Sequence, residues 1–410
     1  MFAALAAFGC SGGDGSSDTS LLVQGESFVA SRDARRAALE RSVVAPSNSY
    51  SARRLSFYAV DPRQNDTSWE SRVVWNPAVR PVMAAGAPGL FSTFDVDIEW
   101  THGALLALGA RAFAEYPMQP SDAVGAYIRD EEAWQAAGLL VDAAGTLGGL
   151  VETQNTNGTI SVALTCATCH SSVMTTGQRV AGAPGDFDYG LTLAAGVSDD
   201  VANVLLQWGP GRVDVTPTAF DPVAISDLRP IRYQTHLHWA ATLRNDLLAL
   251  AVRVDTLIID SVGGQRRPPR EVSFALAYYL WHLDAEALAA DETTAQTEQG
   301  RAVFERDCAG CHGDGRTPRL PVALGAMGSA SGTGTSVDRG TGTWRVPSLW
   351  GVSTRPHLFH DASVRSLVAL FEERAPNAPA NHPFGLELSD EEVAALIAFL
   401  ETLGDPALER

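Results

Sequence analysis

The sequence predicts a mainly α-helical protein in which two lobes repeat one plan. Two observations predict this architecture. A Cys-x-x-Cys-His motif occurs twice, at residues 166–170 and 308–312, and each copy lies between two apolar stretches with the character of helices. Because a helix on either side of a motif supplies two apolar faces that can pack together, we expect a first lobe at residues 96–290 and a second lobe at residues 291–410.

The helix before each motif carries the same short pattern. Residues 102–116 include Gly-x-x-x-Phe starting at Gly109, and residues 298–306 include it starting at Gly300. The first cysteines of the two motifs, at positions 166 and 308, are 142 residues apart. The shared pattern indicates an internal duplication.

A second apolar helix ends each lobe, at residues 272–289 and 389–403. In the last helix the apolar residues recur at the spacing of one helix face. Ser389 and, three positions later, Glu392 form the capping-box pattern that starts a helix. We therefore expect this helix to begin at Ser389 and to pack its apolar face against the rest of the lobe.

Three segments lie outside this plan. Residues 21–95 contain aromatic residues and arginines but no cluster of metal ligands, so we expect an ordered, mostly helical N-terminal extension. Asn157-Gly158 between apolar runs predicts a small β-hairpin insertion in the first lobe. Residues 328–342 are rich in Gly, Ser and Thr and predict a surface loop in the second lobe.

Residues 1–20 predict an export signal with a lipid tether. A short apolar run ends at Cys10 and leads into a Ser-, Gly- and Asp-rich segment, which resembles a bacterial lipoprotein signal. We therefore expect the protein in the periplasm or at the cell surface of a Gram-negative bacterium, with the lipid anchor at Cys10 as its membrane contact. The alternative is a ragged N-terminus in which Cys10 has no role.

The two motifs have the spacing of covalent haem attachment. Two cysteines three positions apart can each form a thioether with one haem edge, and the adjoining histidine then binds the iron. Disulfides and a zinc half-site are the alternatives, but two identical motifs favour two covalently bound haem c groups in two cytochrome c-like lobes. The attachment residues are Cys166, Cys169, Cys308 and Cys311, and the proximal iron ligands are His170 and His312.

Composition limits the function classes. The formal net charge is −18 and the chain contains no lysine. Such a charge repels a phosphate backbone, so nucleic acid is not expected as a partner, whereas a basic protein that donates or accepts electrons is. Without lysine, only His and Met remain as candidates for the second axial ligand of each iron.

Several strings resemble one protein superfamily. Residues 343–350 and 355–361 resemble the second-lobe signature of the bacterial di-haem cytochrome c peroxidases, which the methylamine dehydrogenase-maturing di-haem enzyme shares. Residues 108–113 and 159–161 resemble the first lobe of the same superfamily. The separation of the two motifs also resembles that of the two haems in this superfamily.

Within that superfamily, residues 227–238 and 381–385 look most like the rubber-oxygenase-like branch. The resemblance also implies a distal ligand of the second haem between the second-lobe signature and the last helix. The ligand-capable residue there is His382, and Met327 is the competitor. Counting the same distance back from the end of the first lobe leads to residues 255–265, which contain no His, Met or Cys, so the first haem is expected to be open.

The resemblance implies roles for further residues. It places Trp208 between the haems, although Trp208 would otherwise be a core residue, and it makes Gln234 a distal glutamine. The family's peroxidatic glutamate would follow Leu243, where this chain has Arg244, so we expect slow peroxide turnover. The candidates for catalysis or electron relay are Trp208, Gln234, His236 and His238, and those for haem contact are Arg345, Pro347 and His360.

These observations predict a di-haem oxidoreductase. Its first haem would activate a small oxidant, peroxide or dioxygen, and its second haem, with two histidine ligands, would store and relay electrons. An electron-transfer cytochrome c with no catalysis of its own is the alternative. A third hypothesis is oxidative cleavage of an apolar substrate, which the rubber-oxygenase-like resemblance suggests.

Overall fold

Helices predominate in the structure. The computed structural model describes residues 15–59, 70–75, 92–94, 96–141, 146–154, 159–173, 179–213, 221–261, 267–283, 294–327, 332–371, 382 and 388–403. It is about 52% helical, which confirms the mainly α prediction. The predicted anchor at Cys10 lies outside the described residues. Within them, no helix combines the length and the apolar character needed to cross a bilayer.

The N-terminal extension is helical at first and then contributes strands. Its elements are α1 (Gly15–Ala30), α2 (Arg32–Ser42), α3 (Ser49–Ala59), β1 (Glu70–Trp75) and β2 (Ser92–Thr93). A local signal sets the start of α2, because Ser31 caps the helix and its hydroxyl accepts the backbone N–H of Ala34 at 3.1 Å.

The first lobe combines long helices with short strands. Its elements are α4 (His102–Glu115), β3 (Gln119–Pro120), α5 (Asp122–Tyr127), α6 (Glu131–Ala136), β4 (Thr146–Gln154), β5 (Ile160–Leu164), α7 (Cys166–Cys169), β6 (Ser171–Val173), β7 (Arg179–Ala181), α8 (Tyr189–Ala194), α9 (Asp199–Leu205), β8 (Arg212–Val213), β9 (Val223–Ala224), the 3-10 turn Ile231–Tyr233, β10 (His236–Leu237), β11 (Leu243–Arg244), α10 (Leu247–Ser261) and α11 (Arg270–Trp281).

The second lobe is smaller. Its elements are α12 (Ala295–Asp307), α13 (Ala309–His312), β12 (Val322–Ala323), α14 (Leu324–Met327), α15 (Gly332–Thr335), β13 (Thr343–Trp344), the 3-10 turn Val352–Thr354, α16 (Leu367–Phe371) and α17 (Asp390–Glu401). The predicted capping box of α17 is present, since Glu392 N–H donates to the Ser389 hydroxyl at 3.2 Å and Ser389 N–H donates to the Glu392 carboxylate at 3.0 Å. The helix predicted at residues 272–289 is α11, which ends earlier, at Trp281.

The predicted β-hairpin is present and is part of a larger sheet. Strands β4 and β5 pair antiparallel around residues that the structure does not describe. They form the centre of a five-stranded sheet in the order β2-β1-β4-β5-β3. The N-terminal extension supplies β1 and β2, so strands that the sequence did not indicate join the predicted hairpin. Pairing between segments so far apart in sequence leaves no local signal.

The helices of the N-terminal extension pack into the core of the first lobe. Phe28 of α1 is fully buried, with its ring centre 5.9 Å from that of Phe274 on α11. The hydroxyl of Tyr58 on α3 donates to buried Asp255 of α10, and the hydroxyl of Ser273 on α11 donates to the same carboxylate at 2.9 Å. A buried carboxylate is tolerated when hydrogen bonds satisfy it, so this network joins the extension to both helices.

The same helix crossing occurs in both lobes. Gly109 of α4 lies against the backbone of Ala275 on α11, and Gly300 of α12 lies against the backbone of Ala395 on α17. A Cβ atom at either glycine would overlap the carbonyl oxygen of that alanine. Only glycine therefore allows this close approach, which is the structural reason for the repeated Gly-x-x-x-Phe pattern.

A turn of unusual backbone conformation also repeats, at an offset of 121 residues. His238 and Ala241 have positive φ angles of 64° and 50°, and Phe359 and Ala362 have positive φ angles of 67° and 57°. Non-glycine residues rarely adopt this region, so its recurrence identifies equivalent positions. The antiparallel bridges that close the two turns join Leu237 to Leu243 and Leu358 to Val364.

The two lobes meet through reciprocal hydrogen bonds. Ala224 N–H donates to the carbonyl of His360 at 2.7 Å, and Arg345 N–H donates to the carbonyl of Trp239 at 2.8 Å. The offset of 121 residues relates 224 to 345 and 239 to 360, so the two bonds are equivalent. Contacts exchanged in this way are those of a two-fold interface. The duplication therefore also organises the junction of the lobes.

The predicted surface loop at residues 328–342 is partly buried. Residues 328–331 are not among the described residues, but Thr333 and Arg339 are buried. The start of α3 covers this segment, because Ser49 and Tyr50 donate their backbone N–H groups to the carbonyls of residues 337 and 338 at 3.0 and 2.9 Å. The loop prediction was wrong for this part, since composition alone does not reveal a covering segment from elsewhere in the chain.

Candidate haem sites

The second motif lines a large cavity. Cys308 is the residue between α12 and the short helix α13, and Cys311 and His312 lie in α13. All three residues line the same cavity. Nδ1 of His312 lies 3.2 Å from the carbonyl oxygen of Pro347. A carbonyl only accepts, so Nδ1 carries the proton and Nε2 keeps the lone pair that binds a metal.

His382 lies opposite His312 in this cavity. The two ring centres are 6.4 Å apart, and the ring planes are inclined by 85°. Two imidazoles that bind one metal ion through nitrogens at about 2 Å hold their ring centres about 6 Å apart, once the distance from nitrogen to ring centre is added at each side. The spacing therefore suits one iron between His312 and His382.

Electrostatics favour the ligand form of both imidazoles. Burial lowers the pKa of His312 to about 4, and burial, with a smaller contribution from His312, lowers the pKa of His382 to about 4. Both rings are therefore neutral at pH 7, as metal binding requires. Met327 also lines the cavity, so it remains the alternative ligand, but the arrangement of the two rings favours His382.

The rest of the cavity suits a flat, mostly apolar macrocycle with a polar edge. The predicted contact residues Arg345, Pro347 and His360 all line it. Burial lowers the pKa of Arg345 to about 10, so Arg345 keeps its charge at neutral pH and would hold an anionic group such as a carboxylate. The apolar residues of the lining include Val322, Val346, Leu349, Val352, Leu358, Phe359, Leu367, Leu370 and Leu400.

The first motif repeats the geometry on the proximal side. Cys166 and Cys169 are the first and last residues of α7, and the Thr165 hydroxyl caps this turn. Nδ1 of His170 lies 2.9 Å from the carbonyl oxygen of Ser226, which is 121 residues before Pro347. Burial lowers the pKa of His170 to about 4, so its Nε2 is equally suited to bind a metal. All four motif cysteines are free thiols.

The other predicted site residues do not lie together. Trp208 is buried in a core of the first lobe, with its ring centre 6.4 Å from that of Tyr189 and with Cys169 packed against the same core. That core accounts for its position, and Trp208 does not line the second cavity. Gln234, in contrast, lines the second cavity. His236 is nearly buried on β10, where burial lowers its pKa.

Arg244 occupies the position where the resemblance places a glutamate. Its side chain is exposed, and its guanidinium donates to the carbonyls of Arg41 and Val43 at 3.4 and 3.1 Å. Arg244 is thus held at the surface against the end of α2.

Three functional candidates were missed from the sequence. Trp239 lines the second cavity and donates its indole N–H to the Ala224 carbonyl at 2.9 Å. Arg253 donates to His238 at 2.6 Å. Asp227 pairs with Arg229 at 2.7 Å, and also with a residue of the other lobe, Arg355, at 3.5 Å. The repeat could have identified Trp239, because it occupies the position of His360 in the other lobe.

Comparison with known families adds one finding. Residues 295–400 match the family of subunit III of cbb3-type cytochrome c oxidase. This range runs from the first residue of α12 into α17 and includes the second motif, so the second lobe is a cytochrome c domain, whose cofactor is covalently bound haem c and whose chemistry is electron transfer. A comparison with curated proteins found no significant match. The match does not reach the first lobe, and the finer resemblance to di-haem peroxidases and rubber oxygenases stays a prediction.

Proposed function

We propose that the protein is a di-haem c-type oxidoreductase, in which the second haem relays electrons and the first is open to a small oxidant. The repeated proximal geometry supports a haem in each lobe. In both lobes a short helical turn presents two thiols and a neutral histidine, and a backbone carbonyl orients the ring of that histidine. Bound haem would supply one-electron chemistry.

The observation that carries the proposal is a difference on the distal side. In the second lobe His312 and His382 face each other, and both would hold the iron of a bound haem. The residue 121 positions earlier is Ser261, the last residue of α10. Its hydroxyl donates to the carbonyls of Met118 and Ile258, so it is engaged by backbone. With haem bound, the two histidines of the second lobe would favour electron storage, and the first lobe would leave room for an oxidant.

Trp239 and His360 are the best-placed residues for electron transfer between the lobes. Both line the second cavity, and both belong to the reciprocal hydrogen bonds of the lobe junction. His360 also stacks on Trp344, with ring centres 4.1 Å apart. The relay through or near Trp208, implied by the resemblance, is therefore better assigned to Trp239.

The net charge of the protein and the proposed open first haem indicate which partners it would have. The oxidant is a small molecule, peroxide or dioxygen, and the position of Arg244 at the surface favours slow peroxide turnover. A net charge of −18 favours a basic electron-transfer protein as the partner. The lipoprotein-like start supports a site of action in the periplasm or at the cell surface.

Electron paramagnetic resonance of the oxidised protein tests the proposal. We expect one low-spin signal from the His/His haem and one high-spin signal from the open haem. His382→Ala should convert the low-spin signal to high-spin, and the control Met327→Leu should leave it unchanged. Conversion in the Met327 variant instead would make that residue the ligand.

A cyanide titration distinguishes the proposed oxidoreductase from an electron-transfer cytochrome without catalysis of its own. The open first haem should bind one cyanide per chain, whereas the His/His haem should bind none. A wild-type protein in which neither haem binds cyanide would show that both irons are closed. The alternative, an electron-transfer cytochrome c without catalysis of its own, would then be correct.

A further inference from the structure

His238 forms a partly buried pair with an arginine in the first lobe. Nε of Arg253 lies 2.6 Å from Nε2 of His238. Arginine stays protonated in proteins and only donates, so Nε2 of His238 must accept. The proton of the neutral ring therefore resides on Nδ1. Burial, followed by the charge of Arg253, also keeps the pKa of His238 well below its ordinary value. His238 is thus held as a neutral hydrogen-bond donor.

The donors of this pair have no acceptor in the described part of the protein. Nδ1 of His238 and Nη1 of Arg253 are both buried and make no hydrogen bond to a described residue. Buried polar groups are normally satisfied, and those that are not often serve a ligand. Two such donors in one pair point to a bound group that accepts hydrogen bonds.

The internal repeat places His238 on the distal side of the first site. His238 is equivalent to Phe359, as the shared positive φ angle shows. Phe359 lines the second cavity, and its ring centre lies 5.2 Å from that of His382, the distal residue there. By the same offset, the repeat predicts that His238 lies beside the distal position of the first lobe.

The ring of Tyr50 on α3 also contacts this pair. It meets the ring of His238 edge-on, with the two ring centres 5.0 Å apart. The N-terminal extension therefore contributes to the surroundings of His238.

On the basis of the proposed function, we infer that His238 is the distal hydrogen-bond donor of the first haem site. Its Nδ1–H stabilises an anionic or oxygen-containing ligand bound there, and Arg253 is the positioning residue that selects this tautomer. The first site is thus specialised for small ligands that accept a hydrogen bond, such as fluoride, hydroperoxide or dioxygen. In the second lobe, Phe359 provides no donor at the equivalent place.

Fluoride and carbon monoxide binding to the purified haem-loaded protein test this inference. Fluoride accepts hydrogen bonds strongly, whereas carbon monoxide accepts them weakly. His238→Phe, which copies Phe359, should weaken fluoride binding to the oxidised first haem by at least about tenfold. Carbon monoxide binding to the reduced haem should change little. His238→Gln keeps an N–H donor and should retain most of the fluoride affinity.

The low-spin signal of the second haem monitors folding in every variant. Unchanged fluoride affinity in His238→Phe would overturn the inference and assign the donor to another group, such as Nη1 of Arg253. One cyanide per chain in that variant would still support the proposed function. Two low-spin signals in the wild type, one of which disappears in His238→Phe, would show that His238 binds the iron, and both proposals would then be wrong.

Discussion

The two lobes share their proximal architecture and differ in what surrounds it. The Phe of the Gly-x-x-x-Phe pattern and the first cysteine of the motif are 53 positions apart in the first lobe (Phe113 and Cys166). They are 4 positions apart in the second lobe (Phe304 and Cys308). From the proximal histidine to the carbonyl that orients it, the separations are 56 and 35 residues. The glycine crossing and the proximal hydrogen bond persist despite these insertions, so they are the parts that a haem lobe requires.

The extra residues of the first lobe form a core of their own. Trp134, Tyr189 and Trp208 are buried in it, together with side chains from the central strands of the sheet. The N-terminal extension adds a second layer, which covers α10 and α11. Of the described second-lobe residues, the extension contacts the segment around residues 337 and 338 through the start of α3. Most of the extension's buried side chains thus belong to the first lobe.

Removing the cysteines of one motif at a time tests whether the lobes are equal in cofactor content. Cys308→Ala with Cys311→Ala should lose about half of the covalent haem, because each thioether pair holds one group. Cys166→Ala with Cys169→Ala should lose the other half. Haem staining on denaturing gels measures both. Full staining in the second double variant would mean that the first lobe carries no covalent haem.

The ion pair between the lobes should matter more than any surface pair. Asp227 is buried between Arg229 and Arg355, so Asp227→Ala leaves two buried guanidinium groups without their carboxylate. We expect a loss of about 3–5 kcal/mol in the free energy of unfolding. The control is Glu40→Ala, which breaks an exposed pair with Arg36 and should cost about 0–1 kcal/mol. Equal effects in urea unfolding would contradict the role given to Asp227.

The helix crossings at Gly109 and Gly300 should not tolerate a larger residue in either lobe. Gly109→Ala and Gly300→Ala place a methyl group against a carbonyl oxygen, and we expect each to destabilise the protein by about 1–3 kcal/mol. Gly103 lies in the same helix as Gly109 with open space around it. Gly103→Ala should therefore stabilise by about 0.5–1 kcal/mol. Thermal unfolding compares the three, and a neutral Gly300→Ala would show that the crossing is looser in the second lobe.

Two tryptophan variants should distinguish a residue that relays electrons between the haems from one that only packs in the core. Trp239→Phe removes the residue at the lobe junction and should slow electron transfer between the haems, as measured by rapid-mixing reduction. Trp208→Phe changes a core residue of the first lobe and should cost about 1 kcal/mol of stability without slowing that transfer. The opposite pattern would restore the relay role to Trp208.

Much of the fold was predictable because its signals are local. The capping box at Ser389, the hairpin around Asn157-Gly158 and the helices beside each motif depend on residues within a few positions of one another. The repeated Gly-x-x-x-Phe pattern indicated the duplication before any packing was known. The two Cys-x-x-Cys-His motifs likewise predicted the attachment cysteines and proximal histidines, because haem attachment needs only that short spacing.

The tertiary structure alone decided which distant residues meet. The sequence by itself determined two helical lobes, each with a Cys-x-x-Cys-His motif. It could not show that Arg253 sets the tautomer of His238, that β1 joins the sheet, or that Trp239 rather than Trp208 lines the second cavity. Each of these depends on segments brought together by burial of apolar surface. Burial of apolar surface requires no fixed sequence spacing between the residues that meet. The sequence therefore contains no pattern from which these contacts could be predicted.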